Sequence, residues 1–552
     1  MSSEPISEAN VTGRTILRGG SVVVADGLVR ADGLVRADGL VRADVAIEAG
    51  VVVGVGDVDL QPGDAVVDAS GRLVLPGLVD AHSHADALLS DPDVTGTLLR
   101  QGVTTVIVGQ DGVSYAPGDG AYASEYFAAI NGPHPTYRGG GVDAYLEGVD
   151  GASPLNAGYL IPAGTVRFEV CGRADRPATP EERRRMAALV ERGMADGALG
   201  LSTGLDYVPG VFQDGAEIAD LCVPVARAGG VYVTHMRGGY EANTAVGISE
   251  MADIARRAAA EAAAPLAVHV SHFHADADIL LGQLAELDAA GVDATFDAYP
   301  YVRGCTLLGM PLLPPEVSLL PAREAAAVLA DPAQRAVLRE AGAARATASA
   351  SLGPDWPDMV TLAHIAAPEY AWAHGLTLRA AAHRARTSPM DFALDVLAAS
   401  GLECSAVMAV RHPRPNSELA RIFAHPAHMG GSDGIFIGAH PHPRAAGTFA
   451  AYLRGYVRER GTWTWAEAVH HLSTLPARRF GLGRRGAVVP GSVADVVLVD
   501  PDAVTDTATY ESPRGRAIGI DDVFVAGVRV LADGELTGAM PGRGLRRTTE
   551  GV

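Results

Sequence analysis

The chain reads as an α/β protein, with a closed (β/α) barrel between residues 73 and 482 and a small β domain contributed by both ends. Three observations carry that expectation. Apolar strands alternate with alanine-rich amphipathic helices through the middle of the chain, short Val/Ile/Leu runs broken by Gly and Asp recur at both ends, and polar residues collect where the central strands stop.

From Arg14 to Asp68 the runs around Ile16, Val22, Val45 and Val52 have the spacing of short antiparallel strands, so residues 1–72 are assigned to the N-terminal part of the β domain. A tandem hexapeptide, Ala-Asp-Gly-Leu-Val-Arg, occupies 25–30, 31–36 and 37–42. Solenoid repeats are longer and more numerous, so this one is expected to be an expanded hairpin loop without functional weight.

The barrel is expected to begin with one buried strand from Leu73 to Val79, followed by Asp80, His82 and His84. Residues two apart on a strand point the same way, so both imidazoles can face one metal ion. A strand follows at 104–109, a helix at 180–196, a strand at 199–202, a helix at 216–228 and a strand at 231–235. The pattern continues with a helix at 249–263, a strand at 266–272, a helix at 279–290 and a strand from Ala294. No Gly-x-Gly-x-x-Gly follows an early strand, which weakens a dinucleotide-binding alternative. Short strands return around Val496, Val523 and Val528, so residues 483–552 complete the β domain.

In a barrel the C-terminal ends of all strands open on one face. His82, His84, Asp111, His235, His272 and Asp433 all fall at such ends, and imidazole with carboxylate is a donor set for zinc and neighbouring divalent metals.

Composition narrows the function. The 552 residues carry a formal charge of −21, which argues against nucleic acid or anionic membrane as partner. There is no lysine, so all 44 basic residues are arginine; Schiff-base and carbamylated-lysine chemistry are closed. Four scattered cysteines form no knuckle or redox pair. With neither a signal-peptide core at Met1 to Asn10 nor a bilayer-length apolar run, a cytoplasmic location is expected.

His82-Ser-His84 after Pro-Gly-Leu-Val-Asp, with a split β domain at the termini, resembles the amidohydrolase superfamily. The motifs from Gly200 to Gly210 (including Tyr207), Thr234 to Arg237, Val270 to His272, Asp297 to Tyr301, Gly431 to Gly434 and His442 to Arg444 resemble the D-aminoacylase (N-acyl-D-amino-acid deacylase) family. The resemblance implies a TIM barrel with a β-sandwich, a helical insertion at about 307–358 over the mouth, and metal-dependent amide hydrolysis. Two departures stand out. Gln110-Asp111-Gly112 replaces an Asn-Cys-Gly turn that supplies a metal-binding cysteine, and His274 replaces a lysine expected to hold the substrate carboxylate.

The expected assignment places His82, His84 and Asp433 on one metal, His235 and His272 on a second, and Asp111 between them as a bridge. Zn2+ is the expected cofactor, one or two per chain, with other divalent metals suited to the same donors. Asp433 is the expected proton carrier. Arg444 is expected to clamp a carboxylate, and Tyr207, Tyr299 and His274 to orient it. The expected partner is a small carboxylate-bearing substrate, first an N-acyl-D-amino acid. A cyclic amide, imide or modified peptide, and a non-catalytic binding barrel, are the competing readings. His425, His428, His440 and His442 are expected to make a loop polar, ahead of forming a second metal or proton-transfer site.

Overall fold

The computed structural model describes residues 13–24, 39–240 and 243–548. Eight parallel strands lie in the order of the chain: β1 (Leu78–Asp80), β2 (Val103–Val108), β3 (Asn156–Pro162), β4 (Gly200–Gly204), β5 (Val231–His235), β6 (Ala267–Val270), β7 (Ala294–Ala298) and β8 (His428–Gly430). Every residue of β1 to β5 is buried, as expected of a parallel sheet covered on both faces. The first and last strands meet through the Ala81 amide donating to Gly430 O (3.1 Å) and the Asp433 amide donating to His82 O (2.8 Å). These bonds tie the segments carrying the first two histidines to the segment carrying Asp433.

The helices between strands begin where the side chains can hold them. In Pro180–Ala195, Thr179 and Glu182 form a reciprocal capping box and Pro180 occupies the first turn; Asp214 caps Gly215–Arg227 through the Glu217 amide. Both expected helices therefore stand within a residue of their expected ends.

Strands from both ends of the chain form one nine-stranded, mostly antiparallel sheet. Its seam is the antiparallel pairing of Val496–Val499 with Leu73–Pro76. The sheet rolls over its own core of Leu17, Val45, Val52, Val74, Leu498 and Phe524, and the edge at Val52 bonds to the segment 491–492 that precedes Val496–Val499. This gives the two-layered character of a sandwich.

Three expectations change. The single strand expected at 73–79 is two: Leu73–Pro76 lies in the terminal sheet and only Leu78–Asp80 in the barrel, with Gly77 between them. Most of the hexapeptide repeat lies outside the described residues, but the end of its third copy is strand, not loop, with Val41 opposite Val22. The insertion between β7 and β8 extends well past 358. Strands Gly304–Leu307, Val360–Ile365 and Cys404–Met408 form an antiparallel sheet that packs with helices around Leu312, Trp356, Leu362, Phe392 and Leu397. An apolar core of its own explains why this unit does not end with its first helices.

Candidate metal centre and substrate pocket

The six expected ligands converge. His82 and His84 follow β1, Asp111 lies three residues past β2, His235 ends β5, and His272 and Asp433 follow β6 and β8. One donor group comprises His82, His84, Asp111 and Asp433, and a second comprises Asp111, His235 and His272, the donor atoms of each lying within 4.8 Å of one another. Asp111 belongs to both.

The Asp111 carboxylate stands among four imidazoles. Oδ1 lies 3.6 Å from His82 Nε2 and 3.7 Å from His272 Nε2, while Oδ2 lies 3.6 Å from His84 Nε2 and 3.8 Å from His235 Nδ1. On the far side, Asp433 Oδ1 is 3.3 Å from His84 Nε2 and 3.8 Å from His82 Nε2. Two ligand atoms each ~2.1 Å from a tetrahedral zinc ion lie roughly 3.4 Å apart, so these separations suit shared coordination. His82 Nε2 and Asp111 Oδ1 are buried and lack hydrogen-bond partners, which buried polar atoms rarely tolerate and a cation between them would remedy. The residues present therefore fit divalent metal.

Local backbone shape aims these groups. Asp111, His272 and Asp433 have positive φ values of 55°, 32° and 47°, a conformation costly for residues with side chains. A Cβ on Gly204 would lie 2.0 Å from Asp111 O, so only glycine lets β4 approach that turn.

A second layer orients the imidazoles. His84 Nδ1 pairs with Asn131 Oδ1 at 3.0 Å and His235 Nε2 with Asp206 Oδ2 at 3.3 Å. Asp297, at the core of the barrel, accepts from the His272 amide (2.9 Å) on Oδ1, while Oδ2 faces His82 Nδ1 (3.4 Å) and His269 Nε2 (2.9 Å). Asn131, Asp206, Asp297 and His269 were not among the expected site residues. Only Asp297 had a signal, a carboxylate near the end of an apolar strand.

The electrostatics favour positive charge between the carboxylates. Burial opposes ionisation of Asp111, but the surrounding histidines, His82 foremost, hold its carboxyl well below the usual range. Burial likewise opposes Asp433, yet Arg444 and the imidazoles hold it down at about 2. Asp80, behind the site, is pushed up to about 7 by burial, against hydrogen bonds from Ser432 and the His82 amide.

Arg444 is fully buried, with Nη2 2.8 Å from Asp433 Oδ2 and its guanidinium 4.7 Å from the Tyr299 ring centroid. Its Nε and Nη1 are buried without hydrogen-bond partners. Tyr299 and His274 line an adjoining small cavity that also reaches His272, whereas Tyr207 is buried with its hydroxyl on Thr306 Oγ1 at 2.8 Å. His274 stacks on Tyr240 at 4.5 Å, and its Nδ1 contacts His272 O at 2.7 Å.

Two of the four later histidines do not make the loop polar, while His425 and His440 stay partly exposed in loop segments. His428 and His442 are fully buried, His428 against the Tyr452 hydroxyl (3.2 Å) and His442 with Nδ1 accepting the Arg444 amide (3.0 Å). Packing from β8 and the following helix encloses His428 and His442, and among the described residues none of the four joins a metal-holding group. No helix among those residues is long and apolar enough to cross a membrane.

Residues 65–531 match the model of the amidohydrolase family. The chain is 32% identical over 511 residues to a D-aminoacylase of Alcaligenes xylosoxydans xylosoxydans, covering 90% of this chain and 91% of that one. A structure of D-aminoacylase described as having a binuclear metal centre, activated by one metal and attenuated by the second, superposes with TM-score 0.78 at 28% identity, covering 97% of this chain and 99% of that chain. N-acyl-D-glutamate deacylase from Bordetella bronchiseptica, complexed with zinc and a phosphonate mimic of its tetrahedral intermediate, superposes with TM-score 0.77 at 28% identity over 96% and 99% of the two chains.

Proposed function

The chain belongs to the amidohydrolase family, and from that premise we propose that it is a metal-dependent hydrolase of the amide bond in N-acyl-D-amino acids or closely related acylated amino-acid derivatives. The observation that carries this reading is the pair of buried donor groups sharing Asp111 at the mouth of the barrel. His82, His84 and Asp433 would hold one ion, His235 and His272 the other, with Asp111 common to both. Zinc suits these donors. Divalent metal bound there would supply Lewis-acid chemistry, polarising the amide carbonyl and lowering the pKa of the attacking water from that of bulk water toward ~7.

The chain's own groups do the rest. Asp433 is kept ionised by its 2.8 Å pair with Arg444, so it is available as a base. Its carboxylate would take a proton from water as the water oxygen bonds to the carbonyl carbon. The same carboxyl would then return the proton to the leaving nitrogen as the C–N bond breaks, releasing a carboxylate and a free D-amino acid. The unpartnered Nη1 of Arg444 offers a donor to the carboxylate of the amino-acid half, and Tyr299 lies under the guanidinium.

Elemental analysis of metal per chain, made on the preparation assayed for amine release from N-acyl-D- and N-acyl-L-amino acids, tests the reading. About two metals with D-selective release is the expected result. Firmly bound metal with release only from cyclic amides would move the substrate elsewhere, and absence of both metal and release after zinc addition would refute the enzyme.

A further inference from the structure

The segment that leads into Arg444 is held by one imidazole whose two nitrogens both meet backbone. His442 is fully buried; its Nδ1 accepts the Arg444 amide at 3.0 Å, and its Nε2 lies 3.0 Å from the Arg303 carbonyl oxygen. A ring nitrogen that accepts an amide carries no proton, so the proton is on Nε2 and is donated to Arg303 O. Burial, with the Arg444 charge beside it, holds the His442 pKa well below its usual value, and the neutral form that makes both bonds is the form kept. The two bonds fasten the start of the helix Arg444–Tyr452 to the segment after β7, 139 residues before His442.

The rings around this imidazole come from remote parts of the chain. Tyr301 meets it edge-on at 5.4 Å and Tyr510 at 5.2 Å. Tyr510 belongs to the connection between Val496–Val499 and Ile520–Val525, two strands of the terminal sheet. That connection is pinned to the barrel: Tyr510 O accepts from His440 Nε2 at 2.7 Å, Arg514 Nη2 donates to Phe436 O at 3.2 Å, and Asp506 Oδ1 accepts from Arg454 Nε at 2.7 Å. The Arg303 guanidinium lies over the Tyr510 ring at 4.0 Å, so the residue that receives the His442 proton is itself held by the terminal domain. Edge-on rings and two backbone bonds leave the imidazole little freedom to turn. Arg444 needs that fixity. Its Nη2 donates to Cys305 O (3.3 Å) and pairs with Asp433, and a misplacement of ~1 Å in such a group can cost about 100-fold in rate.

We propose that His442 is a positioning residue for substrate binding: by joining the Arg303 carbonyl to the Arg444 amide beside the Tyr510 ring, it lets the terminal β domain fix where the carboxylate-binding guanidinium stands. This rests on the deacylase reading above and on Arg444 as the group that meets the substrate carboxylate. His442 acts on substrate only through Arg444.

The test measures kcat and KM for the N-acetyl-D-amino acid that the metal-loaded parent cleaves fastest, in His442→Phe, His442→Asn, Tyr510→Leu, Arg444→Met and the double variant of His442→Phe with Arg444→Met. Metal per chain and circular dichroism are measured on each. His442→Phe keeps a ring and loses both bonds; KM should rise about 10-fold or more with metal content unchanged. His442→Asn can still accept the Arg444 amide but falls short of Arg303 O, and its KM should lie between those of the parent and His442→Phe. Adding His442→Phe to Arg444→Met should change kcat/KM by less than about twofold, because the group through which His442 acts is already gone. Tyr510→Leu withdraws the ring from the terminal domain and should raise KM in the same sense, which keeps the inference testable where His442→Phe does not fold. KM within about twofold of the parent in His442→Phe, or in Tyr510→Leu where the former does not fold, would overturn the positioning role and leave the deacylase standing. So would a loss of metal that matches the loss of activity, or an effect of His442→Phe undiminished in the Arg444→Met background. No release by the metal-loaded parent from any N-acyl-D-amino acid would overturn the deacylase reading and this inference with it.

Discussion

Replacing Asp297 by Asn tests whether a residue that touches no substrate holds the metal centre in shape. The carboxylate is approached by three nitrogens: the His272 amide on Oδ1, and His82 Nδ1 and His269 Nε2 on Oδ2. An asparagine is nearly isosteric but offers one acceptor and one donor. If its carbonyl keeps the His272 amide, its NH2 faces His82 and His269 and favours them as acceptors. His82 would then carry its proton on Nε2, the atom 3.6 Å from Asp111 Oδ1 that must be free to ligate. Loss of such an orienting partner typically weakens metal binding about 10- to 100-fold, equivalent to roughly 1.4–2.7 kcal/mol. Competition with a chelator of known affinity measures this directly, and activity of Asp297→Asn should recover as free metal is raised. Metal affinity and kcat/KM both within about twofold of the parent would refute the reasoning.

Other outcomes follow from the same geometry. Asp111→Ala removes the donor common to both groups; metal per chain should fall with activity, and an unchanged metal ratio would show that this carboxylate is not a ligand. Stripping metal leaves Asp111 and Asp433 buried among imidazoles, so the melting temperature should drop on chelation and recover with zinc, since a ligand at 1,000 times its Kd contributes about 4 kcal/mol; a melting curve indifferent to chelator would count against a built site. His471 is held neutral, its pKa lowered to about 4 by burial, with Nδ1 on His428 O at 2.8 Å. A depressed folded pKa means that the unfolded chain takes up this proton first, so the associated stability is present above about pH 6.5 and is lost as pH falls toward 4. His471→Gln should therefore flatten the acid limb of denaturant-measured stability over that window, and identical limbs would exclude His471 as a contributor.

Much of the site was legible because its signals are local. A ligand at the end of an apolar strand announces itself by the change from Val and Ile to His or Asp, and barrel topology brings such ends together whatever the distance along the chain. That is why His82, His84, Asp111, His235, His272 and Asp433 could be collected before any coordinates. The expected pairing of Arg444 with a substrate carboxylate came from residue type and its place shortly after Asp433 in the chain; that it also pairs with Asp433 depends on the fold.

What the sequence by itself determined is therefore the alternation that makes a barrel, the β character of both termini and the chemical kind of the donors, because periodicity and residue type are properties of short segments. Tertiary structure alone decided the rest. The run from Leu73 to Val79 has one uninterrupted apolar pattern, yet it crosses from one sheet to another at Gly77, since both sheets demand the same residues and only their partners differ. Asp297 orients His82 from 215 residues away, and Arg303 acquires its place from Tyr510 and His442, far beyond it in the chain. Such roles reside in contacts between remote segments, and those contacts exist only once the barrel has closed.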